Sequence, residues 1–158
     1  MDQETRIGPL LRRRGATLAS AESCTGGLIG HLVTNVSGSS YYYLGGVVAY
    51  ANAVKQDVLG VHAETLDAEG AVSESAALQM ARGVCRLLEA DYGLAVTGIA
   101  GPTGATPGKP VGLAYIALVG PGVERCERYV WNGDRVANKE LSARRALQVL
   151  IEHLEDLP

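Results

Sequence analysis

The sequence predicts an α/β protein, a three-layer α/β/α sandwich around a five-stranded mixed sheet with one antiparallel strand. Three observations lead there. Through residues 16–96, short apolar runs alternate with helix-period segments, and strands separated by helical crossovers lie parallel, each crossover right-handed. Two strand-like runs near the carboxyl end are joined only by Gly120-Pro121-Gly122, the signal of an antiparallel turn. The chain has 158 residues, 47% hydrophobic and 20% charged, enough for one core-burying domain over 1–158. No linker, internal repeat or low-complexity run divides it.

Residues 3–14 read as a helix stopped by Gly15, with Ile7, Leu10 and Leu11 on its inner side. Residues 16–21 form a short apolar strand, and 25–36 the helix after it, with Leu28, Ile29, Leu32 and Val33 buried. Residues 37–40 are loop. Residues 42–51, rich in Val and Tyr, form the second strand, where Gly45-Gly46 marks a bulge or close backbone approach. Asn52 caps a short helix over 53–59 that stops at Gly60, and the weakly periodic 62–71 is loop or broken helix. Ser73 caps a long helix reaching residue 90, whose Ala77, Met80, Ala81, Val84 and Leu88 recur at helical spacing. Residues 94–96 are a buried strand running into Thr97-Gly98, and 99–110 hold too many breakers for a helix. Strands follow at 113–119 and 123–131. Asp134 then opens a helix to residue 154, with Leu147, Leu150, Ile151 and Leu154 inward.

This topology predicts where the chemistry lies. Residues 23–27, 50–55, 97–110 and 133–135 each follow the carboxyl end of a parallel strand, the edge at which open α/β sheets place ligands. Composition narrows the chemistry further. A net charge of -3 argues against a nucleic-acid binder that works by broad phosphate neutralisation. No apolar stretch is long enough to span a membrane, and the acidic start, Met1-Asp2-Gln3-Glu4, leads into no signal-type region. Cys24, Cys85 and Cys126 are few, odd in number and far apart, which suits a reducing cytoplasm. His31, His62 and His153 are equally scattered, so no metal site is expected.

On that rim, Ser23 reads either as the N-cap of the helix after it or as a nucleophile. Thr25 can serve as the cap and so free Ser23 for chemistry. Cys24 has no histidine near it in sequence to activate it and reads as packing. Lys55 sits in an otherwise apolar turn. A lysine held near a serine at this edge, its pKa lowered by partial desolvation, acts as the base of a Ser-Lys pair. Tyr50 is expected to bury its ring and offer only its hydroxyl. The turn Thr97-Gly98-Ile99-Ala100-Gly101-Pro102 matches neither a P-loop nor a dinucleotide fingerprint, so no such cofactor is expected. Its N–H groups and the Thr97 hydroxyl still suit phosphate or ribose. Arg135 opens a helix whose dipole prefers acidic residues there, which points to an anionic ligand. Lys109 is expected at the surface.

With these residues in view, the chain resembles the CinA carboxyl-terminal domain family, the nicotinamide mononucleotide (NMN) deamidases. The resemblance covers residues 18–154. It rests on Ala21-Glu22-Ser23-Cys24-Thr25-Gly26-Gly27, Gly45-Gly46-Val47-Val48-Ala49-Tyr50, Gly70-Ala71-Val72-Ser73, Ala95-Val96-Thr97-Gly98-Ile99-Ala100-Gly101-Pro102, Lys109-Pro110-Val111-Gly112 and Gly133-Asp134-Arg135. It implies an α/β/α fold whose fourth strand is antiparallel, and hydrolysis of the NMN carboxamide to nicotinic acid mononucleotide and ammonia. No cofactor is implied; the partner is a small pyridine mononucleotide, and the assembly a homodimer or larger homo-oligomer. The family's serine falls on Ser23, its lysine on Lys55, its tyrosine on Tyr50 and its threonine on Thr97. Thr25, Gly26, Gly27 and Gly98 are expected to supply substrate or oxyanion contacts, and Arg135 a phosphate contact. The chain departs from the family around Ala105 and Gly108 and by carrying Lys139 where a second arginine is usual. The longer members' amino-terminal domain is absent, so a stand-alone form is expected. Two other readings compete with the amidohydrolase: a non-catalytic nucleotide-binding module, and an interaction protein in DNA uptake or damage response.

Overall fold

In the computed structural model, which describes residues 2–158, five strands form one sheet. They are β1 (Leu18–Glu22), β2 (Tyr43–Val48), β3 (Tyr92–Gly98), β4 (Leu113–Gly120) and β5 (Val123–Val130), in the order β2-β1-β3-β4-β5. β1 pairs parallel with β2 and β3, while β4 runs antiparallel to β3 and β5. The expected mixed sheet with a reversed fourth strand is therefore present.

Helices cover both faces, because each inner strand alternates two kinds of side chain. One face presents Leu18, Leu94, Val96, Ile116 and Leu118, and buries them against α1 (Gln3–Arg14), α2 (Leu28–Thr34) and α6 (Arg135–Asp156). The other presents Ala19, Ala21, Ala95 and Ala117 to α5 (Glu74–Leu88). Alanines let that helix sit close. A Cβ on Gly93 would come within 2.4 Å of the Ala81 carbonyl oxygen, so the strand tolerates only glycine there.

Several boundaries differ from the expected ones, for local reasons. α2 starts at Leu28 rather than residue 25, because Gly26 (φ 60°) and Gly27 (φ 100°) are left-handed and cannot join a right-handed helix. β2 is shorter than expected and bulged: Leu18 faces Tyr43 but Ala19 faces Gly45. Close approach holds as well, since a Cβ on Gly46 would meet Ser20 Oγ at 2.5 Å. Asn52 is not a cap but the first residue of α3 (Asn52–Asp57), with extended Ala51 before it. The weakly periodic stretch contains a helix, α4 (Ala63–Ala68). Ser73 and Asp134 do cap α5 and α6, accepting from the N–H groups of Ala76 and Ala137.

Among the described residues, no helix is long and apolar enough to cross a membrane.

Candidate active site

Register brings the rim together. Glu22, the last residue of β1, stands opposite Val48 of β2 and Val96 of β3. The three parallel strands thus end nearly level, and the residues leaving them, Ser23, Ala49-Tyr50 and Thr97-Gly98, converge on one edge. There Ser23, Tyr50, Thr97 and Gly98 line an open cleft of ≈ 340 Å³ with Lys55, Ala71, the 99–104 loop and Arg135. That volume falls at the small end for a ligand pocket, which runs from about 300 Å³ upward. Ser23, Lys55, Tyr50, Thr97, Gly98 and Arg135 are all in this cleft.

Ser23 sits on the floor, 8% exposed. Its N–H donates to the Val96 carbonyl at 2.9 Å, pinning the backbone to β3. Its hydroxyl makes no hydrogen bond among the described residues and does not cap α2, whose N-cap position is Gly27. The side chain that satisfies the helix start is Glu22. Buried at the end of β1, its carboxylate accepts from Thr25 Oγ1 (2.7 Å), the Ile29 N–H (2.8 Å) and the Gly30 N–H (3.2 Å). Sequence reasoning missed this residue. The signal was an acidic residue ending an otherwise apolar strand, just before a helix whose first N–H groups need acceptors.

Lys55 is 1% exposed. It is anchored from α3, and its Nζ donates to the carbonyls of Ala49 (2.8 Å) and Tyr50 (3.2 Å). It makes no hydrogen bond to Ser23 among the described residues. Burial lowers its pKa from the ordinary lysine value of 10.5; a charged Cys24 thiolate would work against that. The thiolate does not form near neutral pH, because burial pushes the Cys24 thiol up to about 11. Cys24 is a packing residue, its sulfur set against Gly98. An amine with two N–H groups already matched to two carbonyls has its lone pair left over, which is what a base requires.

The remaining rim residues divide. Tyr50 does not bury its ring; it is 63% exposed, since it follows an edge strand, and its hydroxyl accepts from Arg135 Nη2 at 3.2 Å. Arg135 Nη1 donates to the Gly101 carbonyl at 2.8 Å, so this arginine ties three of the four rim segments across the mouth. The Thr97 hydroxyl donates to the Ala71 carbonyl at 2.8 Å and fixes the far wall. Gly98 is required by packing, because a Cβ there would meet the Leu113 carbonyl at 2.5 Å. Thr25, Gly26 and Gly27 line a separate groove on the α2–α6 side, with His31 and Lys139. The Gly26 N–H donates to the Ser23 carbonyl, and Thr25 is buried against Glu22. The N–H of Cys24, by contrast, donates to no backbone carbonyl among the described residues.

Two further side chains shape the site. Asn138, 2% exposed, donates to the Ala100 carbonyl (3.0 Å) and accepts from the Gly133 N–H (2.9 Å), joining the 99–101 loop to the start of α6. Lys109 is half-buried rather than free at the surface, because its Nζ donates to the Glu69 carbonyl.

Comparison with known proteins gives one answer. The CinA C-terminal domain model matches residues 2–154. A CinA-like protein from Salinibacter ruber is 53% identical over 145 residues, covering 92% of this chain and 35% of that protein. One from Nostoc sp. is 49% identical over 160 residues, covering 94% and 38%. The chain thus spans well under half the length of these curated relatives. Among solved structures, the competence/damage inducible protein CihA from Agrobacterium tumefaciens matches with a TM-score of 0.93 at 40% identity, covering 98% of this chain and 94% of that one. The competence damage-inducible protein A from Klebsiella pneumoniae subsp. pneumoniae matches with a TM-score of 0.95 at 34% identity, covering 99% and 97%.

Proposed function

Because the chain belongs to the CinA C-terminal domain family, we propose that it is an amidohydrolase converting NMN to nicotinic acid mononucleotide and ammonia. Ser23 is the nucleophile and Lys55 its base. One observation carries the reading: a buried lysine of lowered pKa shares a small cleft with a buried serine whose hydroxyl makes no hydrogen bond among the described residues.

The steps follow from the proton positions. Neutral Lys55 takes the Ser23 hydroxyl proton as Oγ bonds to the carboxamide carbon. The Cys24 N–H, free of backbone acceptors and next to the nucleophile, stabilises the oxyanion, worth about 3 kcal/mol by precedent for one such donor. The C–N bond breaks, and the proton on Nζ passes to the departing nitrogen, which leaves as ammonia. Water then attacks the acyl-enzyme and gives one proton to Nζ, Lys55 returns that proton to Ser23 as the acyl C–O bond breaks, and the carboxylic acid so released loses its remaining proton to solvent. A substrate phosphate draws Arg135 from its neutral acceptors, Gly101 and Tyr50, because a charged acceptor binds guanidinium about twice as strongly.

The test is ammonia release from NMN. Ser23→Ala and Lys55→Ala are each expected to abolish turnover while NMN binding persists; full activity in either variant would refute the mechanism. The two carbonyl bonds of Lys55 also favour a second reading, a non-catalytic nucleotide-binding module in which this lysine only braces the rim. Tight NMN binding with no ammonia from the wild-type protein would select it.

A further inference from the structure

A second cavity lies at the other end of β2 from the cleft. It holds ≈ 460 Å³, more than the cleft itself, between α1 and the residues from Val36 to Tyr42. Tyr42 directly precedes β2 and Ala49 directly follows it, so about 20 Å of strand separates the two places.

The helix that forms one wall carries an unusual pair. Gly8 and Pro9 stand side by side in the middle of α1, the two residue types a helix interior tolerates least, and both line the cavity. Gly8 leaves room for the edge of the Tyr42 ring, since a Cβ there would come 3.0 Å from its Cε1 and 3.1 Å from its hydroxyl oxygen. Pro9 has no N–H to offer the Thr5 carbonyl one turn before it, and Thr5 lines the cavity as well. Local conflicts of this kind gather at functional sites.

The chemistry of the walls says what the cavity takes. Tyr42 is 1% exposed, and its hydroxyl is buried with no hydrogen-bond partner among the described residues. Burial raises its pKa above the ordinary 10, with Arg12 acting the other way, so near neutral pH the hydroxyl is a donor lacking an acceptor. The charged side chains lining the cavity are Arg12 and Arg13, and no acidic residue joins them. Arg12 Nη2 donates to the Gly38 carbonyl at 2.8 Å, and its guanidinium lies 4.9 Å and 5.9 Å from the ring centres of Tyr41 and Tyr42. Arg13 is exposed and has no ion pair among the described residues. Val36, Pro9 and Gly8 make the rest of the wall largely apolar.

We propose that this cavity is a second ligand site, for a small organic carboxylate with an apolar body. The carboxylate draws Arg12 from the neutral Gly38 carbonyl, because a charged acceptor binds guanidinium about twice as strongly, and pairs with Arg13 too. Moving Arg12 off the two rings opens the Tyr42 hydroxyl, which then donates to a carboxylate oxygen. The apolar body rests on Val36 and Pro9. A single negative charge suits these walls better than a phosphate dianion, which gives up more hydration on entering apolar surroundings. This proposal goes beyond the amidase reading and does not depend on it.

Titration of the full chain with sodium octanoate, followed by two-dimensional amide NMR, tests it. Gly8, Arg13 and Ser37 are expected to shift together and reach half-saturation below about 1 mM, while Gly98 and Ala100 in the cleft stay in place. Acetate, which lacks the apolar body, and octanol, which lacks the charge, are each expected to bind at least about tenfold more weakly. Tyr42→Phe and Arg13→Gln each remove a side-chain group that holds no hydrogen bond among the described residues, so both variants keep the fold. Each is expected to weaken octanoate by about fivefold or more. Arg128→Gln, which removes an exposed arginine from β5, is expected to bind it as the wild type does. No saturable shift at residues 8, 13 and 37, octanol as tight as octanoate, or unchanged affinity in either the Tyr42 or the Arg13 variant would overturn the proposal. Equal weakening by Arg128→Gln would overturn it as well, since only the total charge would then matter.

Discussion

Among the described residues, Lys55 has no carboxylate partner. The acceptors of its Nζ are neutral carbonyls, so nothing but those dipoles offsets the loss of water around the charge. Its folded pKa is accordingly below 10.5. Between the folded value and 10.5 the unfolded chain binds a proton that the folded chain does not, so this residue's contribution to stability rises with pH across that window. Below the folded value both states are protonated and the cost of burying the charge is fully present. Turnover that needs the neutral amine follows the same titration. We predict that kcat/KM for NMN rises with pH along a single limb below 10.5. Lys55→Arg is expected to be inactive at every pH, since a guanidinium does not deprotonate in this range. A rate independent of pH from 6 to 10 would exclude Lys55 as the base. The chemical identity of this residue was legible because an isolated lysine in an apolar turn is unusual. Its two carbonyl partners were not, because they depend on how the chain after β2 folds back over α3.

At the scale of the element, the β1–α2 turn shows what local pattern misses. Hydroxyls and glycines after a strand suggested a cap at Thr25, yet the acceptor for the helix start comes from Glu22, seven residues before Ile29. Capping signatures span three residues, so a cap reaching from the sheet lies outside them. The arrangement frees Ser23 and fixes its direction at once. Glu22→Gln tests it. The amide keeps the shape but replaces one accepting oxygen with a donor facing N–H groups, at a cost of about 1–3 kcal/mol. We expect that loss in denaturant midpoints, together with a fall in kcat larger than any change in KM, because the variant displaces Ser23 and leaves the Arg135 side of the cleft intact. Equal stability of variant and wild type would show that Glu22 does not organise the turn. Asn138 was missed for a similar reason: it lies one helical turn past a cap that was recognised, and of its two partners Gly133 precedes its own helix while Ala100 comes from the loop after β3.

Across the whole molecule, the sheet divides two cores built from different residues, and it is what makes them one cooperative unit. Its three parallel strands and one hairpin were legible from periodicity and the Gly120-Pro121-Gly122 turn, but its order β2-β1-β3-β4-β5 was not, because parallel crossovers alone do not say that β1 lies between β2 and β3. The unequal faces are a matter of alternation within single strands, Leu94 and Val96 against Ala95, Ile116 and Leu118 against Ala117. Every inner strand contributes to both cores, so neither core can loosen alone without losing the ladder that the other packs on. The single tryptophan, Trp131, reports on one of them. It packs beside the α1–α2–α6 core, stacks on Tyr129 with ring centroids 4.5 Å apart, and donates from Nε1 to Ser142 Oγ at 2.8 Å. Met80 lies across the sheet, fully buried under α5. Met80→Ala is expected to cost about 2–5 kcal/mol through lost burial and the cavity left behind. If the sheet couples the cores, that loss moves the Trp131 fluorescence transition in denaturant by as much as it moves the far-UV transition, and the two curves remain superimposable. A Trp131 transition that stays in place while the far-UV curve shifts or splits would mean the α5 side unfolds on its own. The cleft would then stand between two separately unfolding layers, with Lys55 reached from the α5 side and Arg135 from the α6 side.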